Sequence, residues 1–260
     1  MSAVVQLIDL PFSPWSEKVR WVLDLKGIRY EREEYLPVFG DFRLKRLTGQ
    51  AEVPVIVDTD GKAIADSTRI FHHFEARVPE PRLLPEDARA RAEALRWQDW
   101  AGDTLGPTAR VAVTAALAAD SEAARATVPP NAPALLRRFA AIAVPFGLRM
   151  FKSQYEITEA AIEKARWRLP ELLRVLEAAL PEEGGDFLVG DALSIADIAV
   201  GSMLGLVAPA ADEHLLRPMP PALRRGFTFP GAREDFKRAF AWRDGLYARH
   251  RRPAPTGVGR

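Results

Sequence analysis

One change of pattern constrains the fold of this chain more than any other feature. Up to about residue 77 strand and helix signals alternate, and after "VPEPRLLPED" (78–87) strand signals almost vanish. The three prolines in those ten residues mark a domain boundary. Before it, "VVQLI" (4–8) is a short β-branched run, and a helix follows from Ser13 to about Lys26. Ser13 is the N-cap and Pro14 holds the first helical position, where its missing N–H costs nothing. Val19, Val22 and Leu23 share one face of that helix, and Gly27 is placed to end it in the left-handed conformation. "IRYEREEY" reads as a second strand and "FRLKRLTG" as a short basic helix. "VPVIVDTDGKAIA" (53–65) is a hairpin turning at Asp60-Gly61. Asp66 or Ser67 then caps a helix to about Arg77. The order is β-α-β-α-β-β-α, an α/β module of mixed pairing joined to an all-α half.

In the second half, "EDARARAEALRWQDWAGDTL" reads as a long helix. "TVPPNAP" breaks the helical pattern, and "ALLRRFAAIAVPFGLRMF" is helical with an interruption expected at Pro145. "TEAAIEKARWRLPELLRVLEAAL" is another long helix, with a kink expected at Pro170. In "FLVGDALSIADIAVGSMLGLVA", Ser194 and Asp197 form a capping box, with Leu193 and Ile198 as its staple. A final helix is expected over 231–249, and "RRPAPTGVGR" (251–260) as a disordered tail.

Composition closes several routes. Lys plus Arg number 36 against 35 Asp plus Glu, a balance that gives no electrostatic reason to expect nucleic acid or an anionic membrane as partner. With 48% hydrophobic and 27% charged residues the chain is an ordinary globular one. No apolar run approaches the ~20 residues of a membrane helix, and the N-terminus lacks the pattern of a signal peptide, so the expected location is the cytoplasm. There is no cysteine, hence no disulfide and no protein-borne sulfur nucleophile. His72 and His73 lack ligand-type neighbours in sequence, and no metal site is expected.

Four stretches, "SPWSEKVRWVLDLKGIRYE", "AEVPVIVD", "ADSTRIFHHFE" and "FLVGDALSIADIAVGSML", lie in this order across both halves. Together they resemble the cytosolic glutathione transferase superfamily. The resemblance implies a thioredoxin-like, glutathione-binding domain over 1–80 and an all-helical domain with an electrophile pocket over 81–250. It also implies a homodimer and glutathione as co-substrate. Ser13 and Ser16 stand where disulfide-active relatives carry cysteines, and without sulfur the mixed-disulfide route is closed. Classes with serine at the head of this helix, such as tau and zeta, use its hydroxyl to bind the glutathione sulfur. That makes Ser13 the candidate catalytic residue, with Ser16 as the alternative.

The remaining expectations follow the same resemblance. Val53-Pro54 resembles the family's cis-proline step, whose backbone binds the cysteinyl part of glutathione. Asp66 and Ser67 match an acidic-Ser pair suited to the γ-glutamyl ammonium and carboxylate. Gln50 and Lys45, with Arg43 and Arg46 nearby, are candidates for the glycyl carboxylate. For a small apolar electrophile the candidates are Trp15, Trp97 and Trp100, followed by Phe146, Met150, Phe151 and Tyr155. The expected function is attack of the activated glutathione thiol on that electrophile. The alternatives are a glutathione-dependent isomerase or dehalogenase, and a non-catalytic binding module of the same fold.

Overall fold

A computed structural model describes residues 4–36, 40–128, 132, 134–181 and 185–252. Its first part follows the sequence pattern closely, with β1 (Val5–Asp9), α1 (Pro14–Leu25), β2 (Tyr30–Glu34), α2 (Asp41–Thr48), β3 (Val55–Val57), β4 (Ala63–Ala65) and α3 (Ser67–Arg77). The strands form one sheet in the order β2-β1-β3-β4. β1 runs parallel to β2 and antiparallel to β3, with Ile8 opposite Val55 and Gln6 opposite Val57. Alternation along β1 sends Val5 and Leu7 to one face, where they pack with Val19 and Leu23 of α1 and Ile70 and Phe74 of α3. Ile8 points the other way, against Leu44 of α2 and Val55. The sheet is thus covered by α1 and α3 on one face and α2 on the other.

The second half is helical: α4 (Ala88–Trp100), α5 (Gly106–Ala119), α6 (Ser121–Arg125), α7 (Ala134–Arg138), α8 (Ala140–Gln154), α9 (Glu159–Ala179), α10 (Ile195–Met203), α11 (Pro221–Gly226), α12 (Ala232–Asp235) and α13 (Lys237–His250). α4 and α5 are joined without a break by one π-helical turn, 101–105. Pro107 sits just beyond it, with no N–H to give and a ring that crowds the preceding turn, and the wider turn accommodates both. Trp21 and Val22 of α1 and Phe71 of α3 join the same apolar core as Ile198, Ala199 and Val200 of α10, so the two halves share one interior.

Three expectations are corrected. The break before α8 falls at Phe139 (φ −100°, ψ 15°), and the helix runs through Pro145. Pro145 is exposed, so water can serve the carbonyl its ring leaves unpaired. The final helix is divided at Phe236 into α12 and α13. Arg251, assigned by sequence to a disordered tail, is buried and ion-paired to Glu17 (2.7 Å) and Asp24 (2.6 Å), two carboxylates of α1. Most of "TVPPNAP" and all of 253–260 lie outside the described residues. α9 continues through Pro170. The capping box of α10 forms: Asp197 accepts from the Ser194 N–H (2.9 Å) and hydroxyl (3.0 Å) and from the Leu188 N–H (2.7 Å). Burial pushes the Asp197 carboxyl up to about 6 against those three bonds.

Candidate functional site

Ser13 is the N-cap of α1, in extended conformation, and its Oγ accepts the Ser16 N–H at 3.4 Å. That bond uses a lone pair and leaves the hydroxyl proton for another acceptor. Ser13 is half-buried, whereas Ser16 is fully buried and its Oγ accepts the Leu10 N–H at 3.3 Å. Of the two serines, Ser13 is the one a ligand can reach. The N-terminal partial charge of α1 acts at the same point.

The Val53–Pro54 peptide is cis, as is Glu80–Pro81. Val53 lies just outside the ladder of β3, which begins at Val55. Gln50 folds back on its own loop, donating to the Glu52 carbonyl at 3.2 Å and accepting the Glu52 N–H, so it braces the segment leading into Val53. Lys45 is exposed on α2, while Arg43 beside it pairs with Glu33.

Asp66 caps α3 from an unusual backbone position (φ 75°), taking the N–H groups of Thr68 (3.0 Å) and Arg69 (2.9 Å) on one oxygen, Oδ1. Oδ2 is left to take a further donor. Ser67 is buried at the first helical position. Against this corner lies Lys18 of α1, buried, with Nζ 3.1 Å from Thr68 Oγ1. Burial pushes the Lys18 ammonium down to about 8, opposed by the charges of Asp66, Asp99 and Asp103. The last two come from α4 and the π turn, so the helical half completes the charge pattern around Asp66. The sequence reading missed Lys18, Asp99 and Asp103. Their signal, charged residues on otherwise amphipathic helices, has no meaning until α1, α3 and α4 are brought together.

Trp15 packs against the start of α5: a Cβ at Gly106 would lie 2.8 Å from its indole. Over Trp15 stands Arg110, its guanidinium carbon 5.1 Å from the Trp15 ring centroid and 3.8 Å from that of Tyr155. Tyr155 ends α8 and pairs with Phe151 (centroids 4.6 Å apart). Burial, with the Glu52 carboxylate second, pushes its phenol up to about 12. Trp97 and Trp100 meet each other edge to face at 5.1 Å and pack on the helical core. Phe146 and Met150 are exposed on α8, as are Ile142 on the same helix and Leu135 and Phe139 before it. Trp15, two residues beyond Ser13, is therefore joined by an arginine, not by the other candidate tryptophans. Beyond Ser13, toward the helical half, a cavity of about 30 Å³ is lined by Glu17, Arg20, Ser202 and Tyr247 among others, enough for one water.

Among the described residues no three His, Asp or Glu side chains gather to hold a metal ion, and no helix is long and apolar enough to cross a membrane. Residues 7–82 match the family model of the glutathione S-transferase N-terminal domain, and residues 159–245 that of the C-terminal domain. A probable glutathione S-transferase of Nicotiana tabacum is 28% identical over 208 residues, covering 78% of this chain and 73% of the relative. One from Solanum tuberosum is 33% identical over 102 residues, which is 39% of this chain and less than half (46%) of that relative. Among solved structures, a glutathione S-transferase from Rhodospirillum rubrum F11 superposes with a TM-score of 0.63 at 24% identity, over 98% of this chain and 94% of that one. One from Methylobacillus flagellatus KT, with glutathione bound, gives 0.60 at 22% identity over 94% and 95%. At these identities the structures speak for the fold, and the two family models, together matching more than half of the chain, carry the assignment. The chain belongs to the glutathione S-transferase family.

Proposed function

We propose that the protein binds glutathione in its first domain, ionises the thiol with help from Ser13, and directs it at a small electrophile held against the helical half. The observation that carries this reading is the Ser13 hydroxyl, fixed at a helix N-terminus by the Ser16 N–H with its own proton uncommitted. Asp66 Oδ2 suits the γ-glutamyl ammonium, and Ser67 with the first turn of α3 suits its carboxylate. The backbone of Val53 suits the cysteinyl amide, and Lys45 the glycyl carboxylate. Lys18 balances the charge of Asp66 so that the cap and the ligand can share one carboxylate.

A free thiol has a pKa of about 8.5, so only about 3% is thiolate at pH 7. A hydrogen bond to a charged acceptor is worth roughly 1.5–3 kcal/mol, and one pKa unit is about 1.4 kcal/mol. The hydroxyl and the helix terminus together therefore account for a drop of about one to two units. The serine donates to the thiolate and is not itself a nucleophile. The thiol proton leaves to solvent, sulfur bonds to the electrophilic carbon, and in a substitution the leaving group departs with the electron pair.

Calorimetric titration with glutathione, followed by ultraviolet titration of the bound thiol, tests this. Wild type is expected to bind and to ionise the thiol about one to two units below its free value. Ser13→Ala should still bind but lose most of that shift, with turnover at pH 7 down by about tenfold or more. Ser13→Thr keeps both hydroxyl and cap and should retain the shift. Binding with an unshifted thiol would instead indicate a carrier, and no binding a non-catalytic module. A homodimer is part of the same proposal. The exposed apolar residues Leu135, Phe139, Ile142, Phe146 and Met150 along α7 and α8 support it, and sedimentation measures it. The cytoplasm remains the proposed location.

A further inference from the structure

Arg110 is held in an arrangement that its own fold does not complete. Its guanidinium lies against the rings of Trp15 and Tyr155, contributed by α1 and the end of α8, while Arg110 itself stands on α5. Gly106, one turn before it, leaves the space that Trp15 fills, so the Trp15 ring is fixed. The two rings satisfy the faces of the cation. They do nothing for its edge, where five N–H donors lie in one plane. Nε is buried without a hydrogen-bond partner, and no ion pair to Arg110 is found among the described residues. Glu52 is near enough for its charge to act on Arg110, yet the two do not pair.

Two guanidiniums that are fully buried are paired instead. Arg251 pairs with both Glu17 and Asp24, and Arg20 pairs with Asp9 and Glu17. A buried donor without an acceptor is costly, and each one calls for an explanation. A planar cation held against two aromatic rings, with Nε unpartnered, is preorganised for the in-plane, two-oxygen grip of a carboxylate.

The place of Arg110 indicates whose carboxylate it takes. Trp15 is two residues beyond Ser13, and Glu52, whose charge acts on Arg110, precedes Val53, so Arg110 neighbours both the segment of the hydroxyl and that of the cis step. That is where the proposed function puts the glutathione sulfur. The γ-glutamyl end belongs to Asp66 and Ser67 on α3, and exposed Lys45 on α2 remains for the glycyl end. What meets the helical half at the sulfur is the electrophile.

We propose that Arg110 is a specificity-determining residue whose guanidinium edge pairs with a carboxylate carried by the electrophile, so that this transferase prefers acidic electrophiles to neutral ones. The inference rests on the glutathione-activating reading above. A neutral electrophile lying against the same edge would cover its N–H groups without offering an acceptor. An acidic one pairs with them and is oriented with its reactive carbon toward the thiolate. In the reaction the carboxylate is unchanged: a carbon–sulfur bond forms, the carbon–halogen bond breaks, and halide leaves with the electron pair.

The test compares two chlorodinitrobenzenes in which nitro groups flank the chloride, one bearing a carboxylate opposite the chloride and one bearing hydrogen there. With uncatalysed rates subtracted, wild-type kcat/KM is expected to favour the carboxylate by about tenfold or more. Arg110→Met should abolish that preference, and Arg110→Lys, a point charge without the fork, should keep only part of it. The selectivity is a ratio within one preparation, so partial unfolding of a variant does not affect it. Equal efficiency of wild type toward both compounds overturns this inference and leaves glutathione activation standing. Retained selectivity in Arg110→Met, with glutathione affinity down about tenfold, also overturns it, by showing that the arginine holds the glycyl carboxylate. If neither compound is turned over and glutathione does not bind, the transferase reading fails and this inference with it.

Discussion

Lys18 and Arg20 stand two positions apart on α1, each only 1% exposed, and the fold treats them in opposite ways. Arg20 pairs with Asp9 and Glu17 and donates to the carbonyls of Leu10 (3.2 Å) and Pro11 (3.0 Å). Burial works against its charge, but Asp9 and Glu17 outweigh that, and its pKa is raised. The pairing extends to Arg32 through Asp9 (2.6 Å) and to Arg251 through Glu17, which ties the residue after α13 to α1. Lys18 has a single hydroxyl at 3.1 Å, and burial outweighs the more distant carboxylates. A charge with its acceptors complete belongs to the scaffold. A charge left short of acceptors beside a helix N-terminus is held for something that arrives later.

Arg20→Met tests the scaffold side and should have the largest effect. It takes one of two cationic partners from each of Asp9 and Glu17, leaving Arg32 and Arg251, and breaking a buried pair costs about 3–5 kcal/mol. Urea unfolding measures this, and a loss under about 1 kcal/mol would break the comparison. Asp58 is an intermediate case. It accepts from Arg77 (2.7 Å) and lies 2.7 Å from His73, closing the β3–β4 hairpin onto α3. Burial would raise its pKa, but Arg77, the Thr59 N–H and His73 bring it down to about 2. A carboxylate depressed in the folded state stabilises above its unfolded value and loses that contribution as pH falls through its folded one. Asp58→Asn should therefore cost about 2 kcal/mol at neutral pH, with the difference from wild type vanishing as pH falls from about 4 to about 2.

The smallest stability effect belongs to Lys18→Met, which removes an ammonium that burial disfavours. Folding stability should be unchanged or slightly higher at pH 7, while glutathione affinity falls about tenfold. The pH dependence sharpens the contrast. Lys18 binds its proton less tightly folded (about 8) than unfolded (ordinarily 10.5), so its penalty is complete below pH 8 and is relieved as pH rises toward the unfolded value. Wild type should gain stability relative to Lys18→Met across that window. A large destabilisation by Lys18→Met would place Lys18 with Arg20 in the scaffold.

The two halves of the chain were not equally legible. Around α1, the cap, the proline at N1, the apolar face and the Gly27 stop are local features, and each appears where the pattern sets it. The hairpin and the Asp66 cap are local in the same sense. In the helical half, Pro145 was read as a break although an exposed helix can pass through it, and the π turn before Pro107 left no periodic signature. The site divides along the same line. Ser13, Val53-Pro54 and Asp66-Ser67 sit at turns and caps, whose chemistry is written in neighbouring residues. Lys18, Asp103 and Arg110 draw their meaning from partners that are distant in the chain.

The sequence by itself therefore determined the α/β module, the all-helical half, the absence of a protein-borne sulfur nucleophile and the serine at the head of α1. Those follow from periodicity, caps and residue type, which act over a few residues. Only the tertiary structure decided that Arg20 is saturated and Lys18 is not, that Arg251 closes on α1, and that Arg110 lies against Trp15 and Tyr155. The physical reason is that burial and ion pairing depend on which surfaces meet, and the same arginine is a solvated charge, a buried clamp or an open carboxylate fork according to what is packed around it.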